Sequence, residues 1–195
     1  MHDILGKLFG SPLRVKIMRL FLLGGEAVVL PTEVAKRAKG NPAAVRKELK
    51  LLTEIGFIKE AMRVNDKKKR EKGLTLNGSF PMYFALKNLI LNTAPVAPEE
   101  LLTKIKRLGK AQLVIISGIF IQEDSSRTDL FVVGDNMKRA GFERLVKNLE
   151  AEIGRELNYA LLDTKEFQYR LGMYDKFVRD VLDYPHEKLL NKLDI

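Results

Sequence analysis

NPAAVRKELKLLTEIGFIKE (41–60) sets the reading of the first half of this chain. Asn41 followed by Pro42 is a cap-then-proline start for a helix. Val45, Leu49 and Leu52 recur at helical spacing as a buried stripe, and Gly56 closes the helix. The opposite face carries Ala43, Arg46, Lys47 and Lys50. Alone, a basic helix face is ordinarily just solvated, so its neighbours decide what it means. Upstream, SPLRVKIMRLFLL (11–23) starts the same way at Ser11-Pro12, presents Leu13, Ile17, Leu20 and Phe21 on one face, and stops at Gly24-Gly25. A short helix is expected from Pro31 or Thr32 to Ala38, with Val34 and Ala38 inward and Gly40 ending it. Downstream, KEAMRV (59–64) reads as a strand, NDKKKREKG (65–73) as a cation-rich turn and LTL (74–76) as the returning strand. A short helix, a glycine-containing turn, a basic helix and a basic-tipped hairpin follow one another in the order of a helix-turn-helix with a wing.

The charge distribution points the same way. The chain of 195 residues has a net charge of +9. Residues 1–90 hold 18 Lys+Arg against 8 Asp+Glu, a balance of +10, and residues 91–195 hold 16 against 17, a balance of −1. One half is expected to meet a polyanion and the other is not. No cysteine is present, which excludes disulfides, thiolate metal sites and cysteine nucleophiles. The two histidines, His2 and His186, leave little for an imidazole metal site, so any catalytic metal would rest on carboxylates. No apolar stretch is long enough to span a bilayer and the N-terminus has no uninterrupted apolar h-region, so no membrane partner and a cytoplasmic location are expected.

The stretch 41–60 resembles the recognition helix of winged helix-turn-helix regulators of the ArsR/MarR-like kind, with a polar start, a Val, Leu-x-x-Leu, and a Gly followed by an apolar pair. The likeness spans residues 10–77. It implies that the helix at 42–54 enters a major groove of double-stranded DNA. Asn41, Ala43, Arg46, Lys47 and Lys50 would meet it, with Thr32 of the preceding helix and Arg63 of the hairpin beside them. Lys67, Lys68, Lys69 and Arg70 at the wing would supply phosphate contacts. Metal sensing through cysteine, common in ArsR-type proteins, does not carry over.

NGSFPMYFALKNLILN (77–92) is too apolar for a free linker and is expected to form a packing helix, whereas TAPVAP (93–98) is the best boundary. Beyond it, helix (98–109), strand (113–120), strand (128–134), helix (137–154) and strand (157–162) alternate. A helix capped by an Asp163-Thr-Lys-Glu166 box follows, and a last helix over 175–183 ends the pattern. The chain is thus expected to be α+β, with a winged helix domain at 1–78, a connecting helix and linker at 79–97, and a small α/β domain at 98–195.

SGIFIQEDSSRTDLFVVGD (117–135) in this context is similar to the small nucleotidyltransferase domains of the MNT, or DNA polymerase β-like, type. That family's first strand ends in Gly-Ser and its second opens with Asp-x-Asp, whose carboxylates bind magnesium. Here Ile119 follows Gly118, and Arg127 stands where the first Asp is expected, before Asp129. A fixed cation in place of a metal ligand opposes two-metal chemistry. Three readings of the loop remain: an ion pair between Arg127 and Asp129, a nucleotide pocket formed by Gly118, Ser126, Arg127 and Asp129, or an active site using Asp129 and Glu156 with Glu123 or Asp124 as substitute ligands.

The resulting expectation is a sequence-specific transcriptional regulator, binding DNA as a homodimer. Its nucleotidyltransferase-like domain would be catalytically inactive, without metal or cofactor, and would serve dimerisation, protein-partner binding or ligand sensing. The alternative is an active Mg2+- and nucleotide-dependent transferase, or an MNT-type antitoxin that modifies or masks a partner protein.

Overall fold

The N-terminal elements start where their cap chemistry puts them. A short helix, α1 (Ile4–Leu8), precedes α2 (Pro12–Gly24), where Ser11 Oγ accepts from the Arg14 N–H at 3.2 Å. In α3 (Pro31–Arg37), Glu33 reaches back to accept the Leu30 N–H at 2.9 Å. In α4 (Pro42–Glu54), Asn41 Oδ1 accepts from the Ala43 N–H at 2.9 Å. Each bond satisfies a donor that the first helical turn leaves orphaned.

The computed structural model describes residues 4–64, 68–91, 96–123 and 125–195. The chain is α+β and divides into two units, one of His2–Pro95 with Leu149–Arg155, the other of Val96–Asn148 with Glu156–Ile195.

In the first unit α2 is buried over far more than the single face expected of it. Val15, Ile17, Met18, Leu20, Phe21 and Leu22 are all inside, as befits a helix apolar nearly all round. It packs against α4 and against the hairpin of β1 (Ile58–Val64) and β2 (Arg70–Leu76), and Val34, Ala38, Val45, Leu49, Leu52 and Phe57 complete the core. The strands pair antiparallel from Ile58↔Leu76 to Val64↔Arg70. Val29 adds a short third rung through Leu74. The hairpin turn is therefore shorter than 65–73: Arg70, Glu71, Lys72 and Gly73 lie within β2, because cross-strand pairing continues through them. The apolar connector forms α5 (Tyr83–Leu91), which buries Ile90 but leaves Met82 before it, together with Phe84 and Leu89, exposed.

The second unit begins with α6 (Pro98–Lys106), then β3 (Lys110–Ile116), β4 (Leu130–Asp135), α7 (Arg139–Ile153), β5 (Tyr159–Leu162), α8 (Thr164–Gly172), α9 (Lys176–Asp183) and β6 (Glu187–Asn191). The sheet order is β5-β4-β3-β6; β3 runs antiparallel to both β4 and β6, and β4 runs parallel to β5. Leu113, Ile115, Phe131 and Val133 pack with Phe167, Val178 and Val181, while Val114, Ile116, Leu130 and Val132 are buried as well. Burial on both faces explains why the central strands read as unbroken apolar runs. Three expectations need correction. The first strand stops at Ile116, and Gly118–Phe120 form one tight helical turn instead. The edge strand β6 adds a fourth strand to the three expected. Asp163 does cap α8, accepting from the Glu166 N–H at 2.7 Å, but Glu166 Oε1 goes to Arg170 instead of closing the box.

Residues 149–155 complete the first unit through backbone carbonyls. Arg19 of α2 is 6% exposed; its Nε donates to the Ile90 carbonyl at 3.3 Å and its Nη1 to the Glu152 carbonyl at 3.2 Å. Both carbonyls belong to last turns, where unpaired C=O groups gather partial negative charge. Arg37 Nη2 donates to the Gly154 carbonyl at 2.9 Å, and Lys16 Nζ sits 2.6 Å from Glu152 Oε1. Gly154 has φ +92, and a Cβ there would stand 2.7 Å from the Leu20 nitrogen, so only glycine fits.

Candidate nucleic-acid interface and the Asp129 loop

The buried stripe Val45–Leu49–Leu52 turns the other side of α4 outward, leaving Ala43, Ala44, Arg46, Lys47 and Lys50 exposed. Asn41 is exposed too; its oxygen is used as the cap, while its carboxamide keeps two N–H donors. Thr32 is exposed in the first turn of α3. Lys50 lies 3.7 Å from Glu54 one turn on, a contact between two well-exposed groups that holds it only weakly. The turn between α3 and α4 is tight: a Cβ on Gly40 would meet Val45 Cγ2 at 2.7 Å and Leu13 Cδ1 at 2.8 Å.

At the hairpin Lys68, Lys69 and Arg70 are exposed, whereas Lys67 lies outside the described residues. Arg63 does not join them. Its Nη1 and Nη2 donate to Glu33 Oε2 and Oε1 at 2.9 and 2.8 Å, a two-pronged pair, and its Nε donates to Glu71 Oε2 at 3.2 Å. Expected as a DNA contact, Arg63 has its donors directed at carboxylates of α3 and β2. The hydrogen bond from Arg63 is the main cause that holds the Glu33 carboxyl below its ordinary range. A depressed carboxyl contributes stability above its unfolded value and loses it as pH falls through the folded one. The β1–β2 amides followed by NMR should therefore hold their shifts on acidification through the ordinary Glu value of about 4.3 and move only below it. A transition centred near neutrality would assign the pairing to another group.

In the second unit, Asp129 is 2% exposed and acts as a bracket. Its Oδ1 accepts from the Ile119 N–H at 2.9 Å, its Oδ2 from the Asn158 N–H at 2.8 Å, and its own N–H donates to the Asn158 carbonyl at 2.7 Å. One carboxylate thus ties the turn after β3 to the entry of β5. Gly118 makes this possible. Its φ is +56, and a Cβ on it would overlap Asp129 Oδ1. Beside it the Ser117 hydroxyl donates to the Thr128 carbonyl, and both residues are buried.

Arg127 reaches α9. Its Nε lies 2.7 Å from Asp180 Oδ2 on α9, charge against charge, without the alignment of a hydrogen bond. Ser126 Oγ is buried with no hydrogen-bond partner among the described residues. Gly118 and Asp129 therefore come together as a backbone device, while Arg127 is directed to α9. Glu123 Oε1 accepts from the Ser125 N–H and hydroxyl at 3.2 and 2.8 Å, which lowers its pKa. Glu156 is exposed, and Asp124 lies outside the described residues. Both oxygens of Asp129 are oriented by backbone N–H groups, and Glu123 closes its own turn. A groove of about 400 Å³ does lie next to Asp180, lined by Tyr174, Lys176, Arg179, Asp180 and Asp183, a mixed-charge surface distinct from the expected pocket.

Sequence reasoning missed Glu33, Glu71 and Asp180. Each is paired with an arginine remote in sequence or across a strand pair, so no local pattern announces it. No membrane-spanning helix occurs among the described residues. Comparison with protein-family models, curated proteins and solved structures returned no match to this chain.

Proposed function

We propose that the protein is a sequence-specific regulator of transcription that binds double-stranded DNA through a winged helix-turn-helix in its first unit. The observation that carries this reading is the exposed face Ala43–Arg46–Lys47–Lys50 of α4, set in one unit with the exposed hairpin cations Lys68, Lys69 and Arg70. On this reading Arg46, Lys47 and Asn41 address base edges while the hairpin holds phosphates. Homodimerisation is part of the proposal, supported by the apolar residues that α1 and the α5 segment leave outside, Ile4, Leu8, Met82 and Phe84.

Selection of bound fragments from genomic DNA tests it, followed by affinity against salt. Replacing Lys68, Lys69 and Arg70 with Gln should reduce the magnitude of the log–log salt slope by about 0.9 for each phosphate no longer neutralised, while sequence preference stays. Arg46→Ala and Lys47→Ala should instead relax the preference. Failure to enrich any fragment, with a flat salt response, would sink the reading.

For the second unit we propose a non-catalytic role in dimerisation, partner binding or ligand sensing. The bracket role of Asp129 supports it, since its two oxygens meet backbone N–H groups. Incubation with labelled ATP, Mg2+ or Mn2+ and candidate acceptors is expected to give no transfer; label transfer abolished by Glu156→Gln would favour the enzyme.

A further inference from the structure

Among the residues expected to meet DNA, Arg63 is the cation with its donors turned to carboxylates of its own unit. It sits in β1, faces Glu71 across the hairpin, and reaches Glu33 in the first turn of α3. Its Nη1 also lies 3.5 Å from the Val28 carbonyl, just before the rung by which Val29 joins β2. Glu33 Oε2 is shared with the Leu30 N–H. One guanidinium thus binds a helix start, the approach to a bridging residue and the neighbouring strand, and its planar fork lets it satisfy a two-pronged carboxylate and a third partner at once.

We propose that Glu33, Arg63 and Glu71 form a clamp that sets the β1–β2 hairpin against α3, making Arg63 a positioning residue for the hairpin cations and not a DNA contact. The proposal rests on the DNA-binding reading only for what the hairpin touches. The core holds the base of the hairpin through Ile58 and Leu76, so the clamp acts on its outer part, where Arg63 faces Glu71; a hairpin without such packing is marginal. Without the clamp, Lys68, Lys69 and Arg70 would sample a range of positions, and their contribution to binding would be spread over them.

The clamp makes a prediction opposite in sign to simple electrostatics. Removing a carboxylate from a DNA-binding surface ordinarily tightens binding to a polyanion. Glu33→Gln retains an oxygen to accept the Leu30 N–H but loses the charge that holds Arg63. It is expected to weaken binding to a mixed-sequence DNA duplex by about threefold, and to speed hydrogen exchange of the β1 and β2 amides of the free full-length protein by about tenfold, with α4 unchanged. Arg63→Lys keeps the charge but not the fork and should reproduce both effects. The double variant should be no worse than either single one. Glu71→Gln removes one bond only and serves as the milder variant if Glu33→Gln folds poorly. Unchanged exchange, with tighter duplex binding by Glu33→Gln and a salt slope reduced by Arg63→Ala, would overturn the clamp and return Arg63 to phosphate contact. If the unaltered protein does not bind the duplex, the DNA reading fails, while hydrogen exchange still decides whether the clamp holds the hairpin.

Discussion

Asp129→Ala is expected to unfold the second unit well before it reveals anything about catalysis. The change removes a carboxylate that accepts the Ile119 and Asn158 N–H groups and leaves those donors without it in a site that is 2% exposed at Asp129. Hydrogen bonds to a charged group contribute about 1.5–3 kcal/mol each, so a loss of about 3–5 kcal/mol is expected. For a unit of this size that lowers its melting transition by roughly 15 °C or more. Asp129→Asn keeps one acceptor but turns an NH2 toward an N–H donor, and should fall between. Gly118→Ala should resemble Asp129→Ala, because its new Cβ displaces the same carboxylate from a left-handed turn. Thermal unfolding by near-UV circular dichroism checks all three. A transition for Asp129→Ala within about 3 °C of the unaltered protein would mean that the bracket contributes under about 1 kcal/mol, and the structural account would fail. It follows that activity lost in Asp129→Ala is no evidence of chemistry, and Glu156 is the better residue for that test.

The second large effect belongs to Arg19. Arg19→Met preserves much of the buried stem but leaves the Ile90 and Glu152 carbonyls without their shared donor. Unsatisfied buried acceptors cost about 1–3 kcal/mol each, so about 2–4 kcal/mol should be lost from the first unit. Arg19→Lys should recover little, since one ammonium on a shorter stem does not reproduce the spread of a guanidinium. Gly154→Ala should add little to Arg19→Met, because both release the same segment; its strain comes from φ +92 and the 2.7 Å approach to the Leu20 nitrogen. Hydrogen exchange over α2 and α5 reads the effect, and unaltered protection in Arg19→Met would refute it.

What was legible in the sequence was whatever chemistry lies within a few residues of its effect. Ser11-Pro12 and Asn41-Pro42 mark helix starts because cap and capped N–H are two or three residues apart. The stripe Val45–Leu49–Leu52 is buried as its periodicity requires. The strand β6 was not legible: EKLLN is short and half-buried, and becomes a strand only because β3 offers it an edge. At the candidate site the residue types were visible but not their partners. Arg63 sits near a cation-rich turn and reads as one of its number, yet its carboxylate lies 30 residues upstream. Arg127 and Asp129 are neighbours in sequence, yet they face Asp180 and the backbone of Asn158 respectively.

The inclusion of Leu149–Arg155 in the first unit bears on how the chain folds during synthesis. A ribosome delivers residues 4–91 long before residue 155, and until then Arg19 and Arg37 have no Glu152 or Gly154 carbonyl to hold. The first half can collapse around α2 on emergence, but a buried guanidinium short of an acceptor keeps it from settling. Its last contacts therefore wait until β3, β4 and all of α7 have also been made. The unit that leaves the ribosome first is completed only after much of the other has been translated.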